Sequence, residues 1–166
     1  MILYLDTSAL VKLYVEEEGT EAVQRAVDNA ESIATSVVAY PEARSAFARL
    51  ERDVHLSSEE HRTAVAALDR DWPAYEVVDV TRSVGGVGGA LAAQYLLRGF
   101  DAVHLASAIV VGTARELSYH EASESGDTEA LPPEVLLMTY DNSLFAAART
   151  EGMAYESRPA GEDETK

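Results

Sequence analysis

Cysteine is absent from this chain of 166 residues, which excludes disulfides, thiolate metal sites and cysteine nucleophiles together. Lysine is nearly absent: Lys12 and Lys166 are the only two among 13 basic residues, set against 29 acids, for a net charge of −16. An acidic, lysine-poor surface resembles the bias of proteins from salt-loving organisms. It opposes nucleic-acid binding at low salt, because phosphate affinity ordinarily comes from Lys and Arg. At high ionic strength that repulsion is screened over roughly 3 Å. The same charge suits a basic protein partner. A long hydrophobic run is also missing. The apolar amino terminus is interrupted by Asp6 and Lys12 and has no basic segment before it, so it reads as neither signal peptide nor membrane span. The expectation is a cytoplasmic protein with no membrane partner.

What is present is a hydrophobic fraction of 47%, enough for one domain with a real core. The chain is organised around its first sixteen residues. Ile2 to Leu5 form a short, β-rich apolar run that reads as a buried strand of a parallel sheet. Asp6 falls at its carboxyl end, and Thr7 or Ser8 is placed to cap the next helix. Ligands bind at that edge of open α/β sheets. Helical spacing follows over residues 9–16 and again from Thr20. A second strand spans residues 32–36. The helix over residues 37–52 keeps Pro41 near its start, since a proline deep inside costs about 3 kcal/mol. Glu42 is then close to the end of the second strand.

A further helix starts at Ser57 and is ended by Pro73, and residues 75–80 read as a third strand. The helix over residues 81–97, with Leu91, Tyr95 and Leu96 inward, has a glycine cluster (Gly85, Gly86, Gly88, Gly89) at its entry. The cluster matches a dinucleotide fingerprint poorly and does not follow the first strand, so it reads as a loose helix entry. Gly99 closes that helix, and Asp101 opens an apolar one containing His104. Residues 119–134 turn polar and read as a flexible insertion. Residues 135–139 form a fourth strand running into Tyr140, Asp141 and Asn142, and residues 153–155 an edge strand. One domain over 1–156 is expected, with an acidic, disordered tail at 157–166. Alternating strands and helices imply a three-layer α/β/α fold with a central parallel sheet of four or five strands.

Asp6, Glu42 and Asp141 follow strand-like runs, and Asp101 opens a helix, so in a parallel sheet all four converge on one edge. Two carboxylates about 4 Å apart repel by about 4 kcal/mol at an effective dielectric of 20. Such a group holds a proton or binds a cation. With no cysteine and few histidines, oxygen ligands point to a hard ion such as Mg2+ or Mn2+, suited to phosphoryl chemistry.

Four blocks carry a resemblance: YLDTSALVKLY around Asp6, SVVAYPEARSAFAR around Glu42, RGFDAVHLASA around Asp101 and LLMTYDNSLFAAAR around Asp141. In this order and spacing the chain resembles the PIN domain, and within it the VapC-type ribonuclease toxins of toxin–antitoxin pairs. The resemblance implies an endoribonuclease dependent on Mg2+ or Mn2+, with Asp6, Glu42, Asp101 and Asp141 as catalytic and metal-binding acids. Asp6 and Asp101 are the first choices as direct ligands. Glu42 either ligates or steers the attacking water, and Asp141 either binds a second ion or orients the first. Thr7, Ser8, His104 and Asn142 are supporting residues. RNA is the implied substrate, with a cognate antitoxin and a homodimer as implied partners. The linker between Asp101 and Asp141 is longer than is usual in the family. A haloacid-dehalogenase-like phosphatase is set aside, because its second Asp is replaced here by Ser8. A non-catalytic binding module, or a nuclease outside a toxin–antitoxin system, is the alternative.

Overall fold

The computed structural model describes residues 1–125 and 134–156. The expected tail and residues 126–133 of the expected insertion lie outside the described residues. Four strands, β1 (Ile2–Leu5), β2 (Ser32–Ser36), β3 (Glu76–Val78) and β4 (Val135–Met138), form a sheet in the order β3-β2-β1-β4. Every pairing is parallel, so each connection must cross over and does so through helices. The first connection holds α1 (Thr7–Leu10), a 3-10 turn at Val11–Leu13 and α2 (Thr20–Asp28). The second holds α3 (Ala39–Arg52) and α4 (Ser58–Asp71), and the third α5 (Arg82–Tyr95) and α6 (Gly99–Ser125); α7 (Asn142–Thr150) follows β4.

Strand β1 is buried along its whole length, and its alternation sorts the helices into two layers. Ile2 and Tyr4 pack with Val84, Leu91, Leu105 and Leu144 of α5, α6 and α7. Leu3 and Leu5 pack with Leu10, Val23, Phe47 and Leu68 of α1 to α4. Each fully buried side chain of this size contributes about 1.5–3 kcal/mol. Helices on both faces of a parallel sheet make the three-layer fold expected from the sequence.

Several boundaries differ for local reasons. The expected fifth strand is a single parallel bridge from Ala154 to Leu137, leaving four strands. The helix expected over residues 9–16 is the short α1 plus the 3-10 turn. Gly99 does not close α5. Leu96 does, in the left-handed region at φ 55°, and it is 89% exposed rather than inward. Asp101 is therefore the third residue of α6, not its first. Helix α6 runs 27 residues and takes in 119–125, the first part of the expected insertion. Tyr119, Glu121 and Ala122 are compatible with helix, so polarity alone did not mark a loop.

The glycine cluster lies inside α5. Val84, Gly88 and Leu91 are its buried stripe. At Gly88 an added Cβ would sit 3.4 Å from the Ala102 carbonyl oxygen, so this glycine brings α5 against the first turns of α6. Among the described residues no single helix is long and apolar enough to cross a membrane.

Candidate active site

The carboxyl edge of the sheet opens into a cleft of about 750 Å³ whose lining includes Asp6, Glu42, Asp101 and Asp141. Four acids from separated segments of the chain thus meet in one place.

Asp6 follows β1 and caps α1, its Oδ1 accepting from the Ala9 amide at 3.0 Å. Ser8 Oγ donates to the same carboxylate at 2.8 Å and Thr139 Oγ1 at 2.8 Å. Ser8 Oγ also accepts from the Tyr140 amide at 2.8 Å, and Thr139 Oγ1 from the Asp141 amide at 3.0 Å. Two hydroxyls thereby tie the ends of β1 and β4 together around Asp6. Burial pushes the Asp6 carboxyl above its ordinary pKa, with partial relief from the charge of His104 and from the bonds of Ala9, Thr139 and Ser8.

Glu42 lies in the first turn of α3. Its Oε2 accepts from Thr7 Oγ1 at 2.5 Å and lies 3.1 Å from His104 Nε2. Burial acts to raise this carboxyl, but the bonds from His104 and Thr7 outweigh it and hold the pKa below the ordinary value. His104 is 2% exposed, and its Nδ1 lies 3.0 Å from the Tyr4 hydroxyl. Burial raises the pKa of Tyr4 and keeps its proton on, so Nδ1 faces a neutral hydroxyl. The Glu42 carboxylate only accepts, so Nε2, which faces it, carries a proton.

Asp101 and Asp141 share a different partner. Arg98 donates from Nε to Asp101 Oδ2 at 2.7 Å and from Nη2 to Asp141 Oδ2 at 3.0 Å. Asp141 also caps α7, its Oδ1 accepting from the Ser143 and Leu144 amides at 2.9 Å each. That division leaves Oδ2 for a cation.

Among the described residues no three Asp, Glu or His side chains are gathered closely enough to share one ion as they stand. The donor chemistry nevertheless fits a hard divalent cation. Every acid in the set offers oxygen, and a guanidinium already neutralises two of them. Asp6, Glu42, Asp101 and Asp141 are the residues that would hold it.

Residues 3–151 match the sequence profile of the PIN domain. The chain belongs to the PIN domain family. Its relatives include the ribonucleases VapC45 and VapC49 of Mycobacterium tuberculosis, each 39% identical over 111 residues, 67% of this chain and 77% of the relative. Among solved structures, FitAcB from Neisseria gonorrhoeae is similar with a TM-score of 0.57 at 18% identity, covering 90% of this chain and 94% of that one. A toxin–antitoxin complex from Klebsiella pneumoniae gives 0.54 at 15% identity, covering 87% and 90%. At those identities the likeness is one of fold.

In this PIN chain the four acids and Thr7, Ser8 and His104 share the cleft. Asn142 does not join them: it is the exposed first residue of α7, outside the cleft lining. It follows a capping acid, and the next side chain points out. Arg98, Thr139 and Tyr4 were missed as site residues. Arg98 stands three residues before Asp101, a spacing at which helical side chains meet, and Thr139 two residues before Asp141. Tyr4 gave no signal beyond its apolar strand. Lys12 also lines the cleft, with Nζ 2.8 Å from Glu17 Oε1 and 4.2 Å above the Tyr140 ring. The Tyr140 hydroxyl donates to the Gly19 carbonyl at 3.0 Å. Gly19 has φ 94°, and a Cβ there would collide with the Tyr140 ring.

Proposed function

We propose that this PIN domain is an endoribonuclease dependent on Mg2+ or Mn2+, and the toxin of a VapBC-type pair. The observation that carries the reading is the single acidic cleft, built by Asp6, Glu42, Asp101 and Asp141 in a chain whose relatives are named ribonucleases. When bound, the ion supplies a water of lowered pKa and neutralises charge on the phosphate. The chain's own residues do the rest. Ser8 and Thr139 fix the Asp6 carboxylate, while Thr7 and His104 fix that of Glu42 and keep it ionised. Ser8 and Thr7 are committed as donors to these acids, so attack by water needs no covalent nucleophile.

The phosphate backbone is held by cations in a chain that has few. Arg49 lines the cleft on the same face of α3 as Glu42 and Ser45. Among the described residues no carboxylate pairs with it, whereas Arg44 is engaged with Asp69 and Tyr40. Arg49 is therefore the available phosphate contact. An antitoxin belongs to the same reading: a partner covering this acidic cleft complements it with basic side chains. A homodimer and a cytoplasmic setting complete the proposal. The direct test incubates the purified protein with RNA at high salt, with Mg2+ or Mn2+ and then with chelator. Cleavage abolished by chelator supports the nuclease, and RNA binding without cleavage under all conditions refutes it.

A further inference from the structure

Asp101 and Asp141 are bridged by one side chain, and that side chain comes from the same chain. Arg98 sits in the turn between α5 and α6, after the left-handed Leu96. Its Nε and Nη2 reach Asp101 at 2.7 and 3.4 Å, and Nη2 reaches Asp141 at 3.0 Å. The guanidinium occupies lone pairs that a cation held by these two acids would need. Asp6 and Glu42 are instead satisfied by Ser8, Thr139, Thr7 and His104. The acids are thus divided into one pair with fixed donors and another with a removable counter-ion.

We propose that Arg98 is a placeholder cation that competes with the divalent ion for Asp101 and Asp141 and swings out to admit it. The inference rests on the metal-nuclease reading and adds to it a residue that sets how much metal is needed. Three features support it. Two acids that lost Arg98 without replacement would repel each other. The Arg98 side chain is 77% exposed, so leaving costs little packing. Its planar fork is matched to carboxylate oxygens in a way that a lysine is not. Charge-assisted bonds at an exposed site are each weak. Their joint loss is expected to shift metal affinity by about tenfold, about 1.4 kcal/mol.

The test is calorimetric titration of metal-stripped protein with Mn2+ at fixed high salt, for the parent, Arg98→Gln, Arg98→Lys and Arg49→Gln. Arg98→Gln is expected to bind Mn2+ about tenfold more tightly, with Arg98→Lys between it and the parent. Arg49→Gln removes the same charge from the same cleft and is expected to change affinity twofold at most. Metal-free Arg98→Gln is also expected to melt below the parent and to recover when Mn2+ is added. Equal affinity in the parent and Arg98→Gln overturns the placeholder role and leaves the metal site standing. So does an equal gain in Arg49→Gln, which reduces the effect to net charge. If none of the four proteins binds Mn2+, the nuclease reading falls and this inference falls with it.

Discussion

His104 holds Glu42 from below: its Nε2 lies 3.1 Å from Glu42 Oε2 while Nδ1 is 3.0 Å from the hydroxyl of Tyr4. A buried strand tyrosine thereby anchors a helix histidine, which in turn orients a carboxylate in the cleft. Removing such a support typically costs 10–100-fold in activity or metal affinity. His104→Ala is expected to lower kcat on RNA by about that factor, with less change in KM. Tyr4→Phe should fall between it and the parent. His104→Ala also removes a partner of the buried Tyr4 hydroxyl, so circular dichroism must accompany the kinetics. Unchanged kcat in a folded His104→Ala protein would remove His104 from the site.

Asp6 trades stability for function. Its pKa is raised above the ordinary 3.8 by burial, so the fold favours the protonated form. Stability from this group is present at and below the ordinary range and is lost as pH rises through the raised folded value. Metal-free Asp6→Asn should therefore melt higher than the parent at pH 7. The gap should close as pH falls toward 3.8. Thermal melts across pH decide this, and a lower melting temperature for Asp6→Asn at pH 7 contradicts it.

The glycines of α5 make separate demands. An added Cβ at Gly85, Gly86 or Gly89 meets nothing within 4 Å, whereas at Gly88 it meets the α6 backbone. Alanine at each of the three open positions should stabilise the helix by roughly 0.5–1 kcal/mol. Gly88→Leu should destabilise by about 1–3 kcal/mol, because extra methylenes must part α5 from α6. Denaturant titration of the triple alanine variant and of Gly88→Leu separates the two classes.

The layers of the fold and the convergence of its acids were legible in the sequence for a shared reason. Ile2 to Leu5 and residues 32–36 carry strong strand patterns, and Asp6 and Glu42 follow them by one and six residues. Helix ends were less legible. Leu96 takes a left-handed turn that a glycine would ordinarily mark, and nearby Gly99 drew the boundary to the wrong place. The start of the polar stretch at residue 119 was misread because helix α6 outlasts its buried face. Arg98 was hidden for another reason. Its two partners lie 3 and 43 residues away, and only the packing of α6 beside β4 brings Asp101 and Asp141 to one guanidinium.

Arg49 offers a check on the substrate path. It lines the cleft with no carboxylate partner among the described residues, in a chain of net charge −16. Arg49→Gln should raise KM for RNA several-fold, with a smaller effect on kcat, and should reduce the salt dependence of RNA binding by about one unit of log–log slope. Binding titrations at several salt concentrations supply the slope. An unchanged slope and KM would place the RNA elsewhere.

A metal-dependent RNA-cleaving centre in the acidic cleft must lose its activity when the ion is withdrawn or Asp6 is neutralised. Its most direct test follows cleavage of a labelled RNA by metal-stripped parent protein and Asp6→Asn as Mn2+ is added. Cleavage by the parent should rise with Mn2+ and stop with chelator, while folded Asp6→Asn should be inactive at every concentration. Equal Mn2+-dependent cleavage by both proteins, or parent cleavage that survives chelator, would contradict the account.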